Sequence, residues 1–119
     1  MADHTHPVAI ASAFTQAWTS KDLERAAGYV AEDAVFDGPL GHAEGKQEYM
    51  ERIGRLAGIV TGLNILAAFG NNSQALIMYE LTTEQYGVLT CAKLFTIPDG
   101  KIAQDRLTFD SFPMRTGSR

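Results

Sequence analysis

Apolar residues recur at helical spacing in the first half of the chain. Ile10, Phe14 and Trp18 lie four residues apart, which predicts a helix that begins at Pro7. After a break at 20–22, a second predicted helix carries its apolar side from Leu23 to Val30. A short strand is expected at 34–37 and an irregular, turn-rich stretch at 38–45. A third helix is predicted from apolar positions at helical spacing: Tyr49, Met50, Ile53, Leu56 and Ala57.

The second half changes to strand periodicity. Segments 59–69, 75–86, 88–97 and 101–112 alternate in polarity and are separated by stretches rich in glycine, asparagine and proline, which predicts four sequential antiparallel strands. Three helices followed by such a meander predict an α+β fold, in which the helices pack in the concave face of a strongly curved, mainly antiparallel sheet. We expect one domain over residues 1–119, with an ordered core at about 7–112 and a frayed tail at 114–119.

The turn between the last two predicted strands sets their register. Pro98, Asp99 and Gly100 suit a three-residue hairpin loop with glycine in the left-handed conformation. Lys93 would then pair directly with Asp105, on the more apolar face of both strands. An opposite-charge pair on that face is either an internal salt bridge or the polar floor of a pocket.

Composition narrows the function classes. The chain has 119 residues, 45% of them apolar, and a net charge of −4 without a basic stripe, so neither nucleic acid nor a membrane surface is an expected partner. No signal-peptide pattern or membrane span is visible, and we expect a cytoplasmic protein. The single cysteine, Cys91, is interpreted as a core residue, and no motif predicts a metal site or a cofactor.

The order of elements resembles a known superfamily. The segment from Ala31 to Pro39, Gly45 before a helix, and Asp99-Gly100-Lys101-Ile102 near the end are similar to nuclear transport factor 2-like (SnoaL-like) domains. This resemblance implies a cone-shaped α+β barrel with a cystatin-like curved sheet and a hydrophobic pocket, often dimeric through the outer sheet face. Members include ketosteroid isomerases, polyketide cyclases, epoxide hydrolases, dehydratases and noncatalytic binding modules, so the fold alone does not name an activity.

The catalytic positions of these relatives are largely changed here. The resemblance places the ketosteroid isomerase base at Gly38, its phenolic donor at Phe14 and its protonated acid at Lys93. The His and Asp of SnoaL-type cyclases match Asp105 and Leu107. The water-activating residues of limonene epoxide hydrolases match Leu81, Thr83 and Leu107, which excludes that mechanism.

Four residues are candidates for catalysis, each with a structural alternative. Asp105 and Lys93 can act as a base and a cation, or form a structural ion pair. Asp37 can face the pocket mouth or cap a turn, and His42 can serve acid-base chemistry or be a solvated loop residue. The predicted pocket walls are Phe14, Trp18, Phe36, Tyr79, Cys91, Phe95, Leu107 and Phe109.

The sequence therefore predicts a protein that binds an apolar or partly polar small molecule. It can be a cofactor-independent isomerase, cyclase or dehydratase that works by proton transfer. The alternative is a noncatalytic module for ligand binding, protein interaction or dimerisation, in which Lys93 and Asp105 form a structural ion pair.

Overall fold

The computed structural model of the protein describes residues 6–39 and 41–110. Within these ranges the chain forms three helices and six strands, and the first two strands lie between the second and third helices. In chain order the elements are α1 (Pro7–Thr19), α2 (Leu23–Ala27), β1 (Val30–Gly38), β2 (Gly41–Glu44), α3 (Lys46–Ala57), β3 (Val60–Gly70), β4 (Gln74–Thr83), β5 (Gly87–Thr96) and β6 (Ile102–Phe109).

The six strands form one curved, unclosed sheet in the order β2-β1-β6-β5-β4-β3. Every neighbouring pair is antiparallel except β1 and β6, which run parallel. Helix α1 packs against β3 and β4, and α3 packs against β1 and β2, so the helices cover the concave face. The α+β fold with a mainly antiparallel sheet is confirmed.

The second helix is shorter than the apolar pattern predicted. It begins after Asp22, whose side chain accepts a hydrogen bond from the Arg25 backbone N–H at 3.2 Å, and it already ends at Ala27. Val30, assigned to this helix from the sequence, instead begins β1 and pairs with Ile102. Backbone pairing with β6 outweighs the local helical spacing there, because it satisfies peptide groups that a frayed last turn would leave open.

The turn-rich stretch also contains a strand that the sequence did not reveal. His42 was placed in a loop, which is wrong, because it lies in β2 and pairs with Asp37 of β1. Strands of four residues carry too short a pattern to be recognised beside glycine and proline.

The hairpin between β5 and β6 has a different register from the predicted one. Lys93 lies opposite Leu107, and Asp105 lies opposite Phe95, so the pairing is shifted by two residues. The N–H groups of Ile97 and Ile102 donate to the backbone carbonyls of Ser73 and Tyr29, which lie outside the hairpin, so neither N–H group pairs within the hairpin and the loop is longer. A shift of two keeps every side chain on its predicted face, and Gly100 has the predicted positive φ of 83°.

The connections on the helical side are tied together by one lysine. Lys21, in the turn between α1 and α2, donates through Nζ to the carbonyl of Ala57 and, at 2.9 Å, to that of Val60.

No helix among the described residues has the length and apolar character needed to cross a membrane. The predicted strand end at Phe112 and the predicted frayed tail lie outside the described residues.

Candidate functional site

Lys93 and Asp105 meet inside the cone although they are not direct cross-strand partners. They are diagonal neighbours on the inner face, within reach of a long side chain, and Lys93 Nζ lies 2.8 Å from Asp105 Oδ2. Both side chains are 0% exposed. The Tyr49 hydroxyl of α3 donates to the same Oδ2, whereas Asp105 Oδ1 has no hydrogen-bond partner among the described residues.

Aromatic rings surround the Lys93 ammonium group. Its Nζ lies 5.4 Å from the ring centroids of Trp18 and Phe95, 5.6 Å from that of Phe14 and 5.8 Å from that of Phe36. These distances are within the range of cation–π attraction, which is stronger where water is excluded. The ammonium is therefore held by one carboxylate and four aromatic rings.

The ionisable side chains near the ion pair, Tyr49, Tyr79 and Cys91, stay protonated at neutral pH. Burial raises the pKa of Tyr49 well above its usual value, and the Asp105 carboxylate raises it further. Burial likewise raises the pKa of Tyr79 well above its usual value, and that of the Cys91 thiol to about 11. Tyr79 faces inward as predicted, and Cys91 is a buried thiol rather than an available thiolate.

A cavity of about 240 Å³ opens beside this charged cluster. Its walls are mostly apolar and come from β1, the turn into β2 and the start of β2, α3 and the turn after it, the β4–β5 turn, and β6: Phe36, Gly38, Pro39, Gly41, Arg52, Ile53, Arg55, Leu56, Ile59, Tyr86, Leu107 and Phe109. Three predicted pocket residues, Phe36, Leu107 and Phe109, are among them. The other five belong to the buried core and do not line the cavity: Phe14, Trp18, Tyr79, Cys91 and Phe95.

Phe36 is the wall between the cavity and the ion pair. It lines the cavity, and its ring also stacks on Tyr49 with centroids 5.9 Å apart. A Cβ at Gly38 would lie only 3.0 Å from the Phe36 ring, so glycine at this position avoids a steric clash with the ring. Neither Lys93 nor Asp105 is among the residues that line the cavity.

The other two catalytic candidates lie elsewhere. Asp37 and His42 are exposed neighbours on β1 and β2; His42 Nδ1 is 2.6 Å from Asp37 Oδ1, and its Nε2 is 3.0 Å from Glu44 Oε2. Its hydrogen bond with Asp37, followed by that with Glu44, raises the pKa of His42. The structure thus separates the four candidates into a buried pair, Lys93 and Asp105, and an exposed pair, Asp37 and His42.

Within the described ranges no three His, Cys, Asp or Glu side chains are placed to hold a metal ion.

Two cavity residues were missed from the sequence because they are charged. Arg52 and Arg55 lie on α3, and with Leu56 and Ile59 they follow helical spacing along the side that faces the cavity. That spacing is present in the sequence, but charged positions on a helix usually face solvent and do not by themselves predict a cavity.

The curved sheet, the helices packed in its concave face and the apolar cavity beside them together define an α+β cone fold with a small-molecule-sized cavity. The SnoaL-like domain family matches residues 11–104, and the chain belongs to that family. A comparison with curated proteins gives no match.

Solved structures agree with this assignment. A protein from Kribbella flavida DSM 17836 is 31% identical, with a TM-score of 0.91 over 95% of this chain and 93% of that one. A nuclear transport factor 2-like protein from Cytophaga hutchinsonii is 19% identical, with a TM-score of 0.76 over 89% and 91%. An epoxide hydrolase of the LEH-like type from M. tuberculosis is also 19% identical, with a TM-score of 0.75 over 92% and 86%. The last two share the fold alone.

The buried ion pair makes a prediction about stability. Lys93→Met or Asp105→Leu alone should lower the free energy of unfolding by about 3–5 kcal/mol, because each leaves an unpaired buried charge. The triple variant Tyr49→Phe, Lys93→Met, Asp105→Leu removes the charges and the hydroxyl together, and we expect it to lie within about 2 kcal/mol of the parent protein. Urea unfolding followed by circular dichroism measures both effects.

Lys46→Met is the control for these variants. Lys46 Nζ lies 3.7 Å from Glu32, whose side chain is 92% exposed, so its loss should change stability by less than about 0.5 kcal/mol. A triple variant as unstable as the single variants would contradict the account of the ion pair.

Proposed function

We propose that this SnoaL-like protein binds a small, mostly apolar molecule in the cavity between Phe36, Leu107 and α3. The observation that carries the proposal is the cavity itself, which has apolar walls and remains open although the adjacent interior is filled by aromatic side chains. Sites for small molecules are typically concave and apolar with a few polar groups. At about 240 Å³ the cavity suits a ligand smaller than most drugs.

Strand β6 and helix α3 both contribute residues to the ion-pair cluster and to the cavity. On β6, Asp105 is followed at every second position by Leu107 and Phe109, and on α3 Tyr49 is followed one turn later by Ile53. The ligand would thus lie next to the charged cluster, with Phe36 between them. Binding itself requires no movement of this ring and no cofactor.

Proton transfer is a second candidate function, favoured by the unpartnered Asp105 Oδ1. A buried carboxylate oxygen without a hydrogen bond is costly, and it is available as a base. The carboxylate would take a proton from a carbon beside a ligand carbonyl and return it to another atom of the same molecule, as in an isomerase. Phe36 would have to turn away for the ligand to reach it.

Filling the cavity tests the binding proposal. Leu107 is half-buried and lines the cavity, so Leu107→Trp should occupy the space and weaken binding of small apolar molecules at least about tenfold. Phenylacetamide and octanamide serve as probes, and nuclear magnetic resonance titration of the labelled protein gives their affinities and the residues affected.

The matched control is Thr108→Trp, which adds the same side chain to the exposed, opposite side of β6. It should leave the affinities unchanged. If Leu107→Trp and Thr108→Trp bound the probes equally well, the cavity would not be the binding site.

Deuterium exchange tests the second candidate. Catalysis by Asp105 would make the protein accelerate exchange of the α-protons of cyclohexanone in heavy water, and the triple variant at Tyr49, Lys93 and Asp105 would lose that acceleration while still folding. Equal exchange with the parent protein and the folded triple variant would rule out proton transfer by Asp105. Proton resonance spectra follow the reaction directly.

The outer face of the sheet supports the homodimer expected from the family resemblance. Phe69 lies opposite Leu76, and Leu76 lies opposite Leu94 on the next strand, which gives one apolar row across β3, β4 and β5. Phe69 is 69% exposed and Leu76 is 46% exposed. We propose that a second copy of the chain covers this row in a cytoplasmic homodimer.

Sedimentation velocity tests the dimer. Leu76→Lys should shift a dimer to monomer, because it places a charge in the apolar row, whereas Thr90→Lys on the same face beside Glu80 should not. A parent protein that is strictly monomeric at high micromolar concentration would exclude the dimer.

A further inference from the structure

Of the described residues that line the cavity, the two charged ones are arginines. Arg52 and Arg55 line it, and the rest of the lining is apolar, backbone or the Tyr86 phenol. The two arginines are three residues apart on α3, so their side chains leave neighbouring positions of one helix face. The cavity therefore has an apolar body and a positively charged side.

No acidic side chain in the described part of the chain pairs with these guanidinium groups. Among residues 6–39 and 41–110, neither arginine forms an ion pair or a side-chain hydrogen bond. The chain carries 14 acidic and 10 basic side chains, so acidic partners are in excess overall. Arg52 is half-buried and Arg55 is exposed, so the cavity wall carries two unpaired guanidinium groups although the chain as a whole is acidic.

Arg52 is also held against a particular part of the wall. An ideal Cβ at Gly41 would lie 2.1 Å from Arg52 Nη2, so the guanidinium lies directly over the Gly41 backbone at the start of β2. The side chain is half-buried there. Glycine at position 41 leaves the space that this placement needs.

From this arrangement we propose that the ligand of the cavity is a small carboxylic acid, whose apolar part packs on Phe36, Leu107 and Leu56 and whose carboxylate binds Arg52 and Arg55. The planar guanidinium forms paired hydrogen bonds with a carboxylate, and such bonds are shorter and stronger than neutral ones. A volume of about 240 Å³ holds roughly eight water-sized groups, which suits one ring or a short aliphatic chain. This inference rests on the proposed function, because it assigns the ligand class of the same cavity.

Pairs of acids and amides of equal shape test the charge preference. Phenylacetate and octanoate should bind the parent protein at least about tenfold more tightly than phenylacetamide and octanamide. The double variant Arg52→Gln, Arg55→Gln should reduce this preference to less than about twofold, because it removes both guanidinium charges. Resonance titrations give all four affinities, and circular dichroism confirms that the variants fold.

Two further variants locate the effect. Arg106→Gln removes an exposed arginine from the opposite face of the sheet, and it should keep the full preference for the acids. Gly41→Ala should weaken binding of the acids more than binding of the amides, because the new methyl group displaces the Arg52 guanidinium while retaining its charge.

The outcomes separate the two proposals. Equal affinity for acids and amides, with both lost in Leu107→Trp, would overturn the carboxylic acid as ligand and leave the binding cavity standing. A preference for the acids that persists in the Arg52, Arg55 double variant would also overturn it. Failure of all four probes to bind, or binding that survives Leu107→Trp, would overturn the proposed function and this inference with it.

Discussion

The contact between the Lys93 ammonium and the Asp105 carboxylate is the constraint around which the interior is arranged. A charge that is 0% exposed is tolerated only with a partner of opposite sign and further polar or π contacts. Here one carboxylate oxygen accepts hydrogen bonds from both the ammonium and the Tyr49 hydroxyl, and the centroids of four aromatic rings lie within 5.8 Å of Nζ. The aromatic residues of α1, β1 and β5 thus have an electrostatic role as well as an apolar one.

This arrangement also explains why the cavity lies where it does. The rings that enclose Lys93 fill the inner part of the cone, and Phe36 is the last of them. Beyond it, Leu107, Phe109 and Ile53 continue the same strand and helix faces without filling the space between them. A charged, closed interior and an apolar, open cavity therefore share one aromatic wall, and two arginines line the open cavity.

Side-chain direction could be predicted from the sequence, but pairing depended on contacts between distant segments. Alternation along β5 and β6 placed Lys93 and Asp105 on the inner face correctly, because a register shift of two preserves the face. The exact pairing could not be found, since Ser73 and Tyr29 take the hydrogen bonds of the loop residues. The same applies to Val30, which a distant strand draws out of the helical pattern. Arg52 and Arg55 were overlooked because charged residues on a helix are usually solvent-exposed, and only the tertiary fold shows that these two border a cavity.

A crystal structure of the protein with phenylacetate bound would test most directly whether Phe36 separates the ligand from the ion pair. The account predicts ligand density between Leu107 and Arg52, with the Phe36 ring still stacked on Tyr49 and the Lys93–Asp105 contact unchanged. Density within hydrogen-bond distance of Asp105 or Lys93, with the Phe36 ring turned away, would contradict the account.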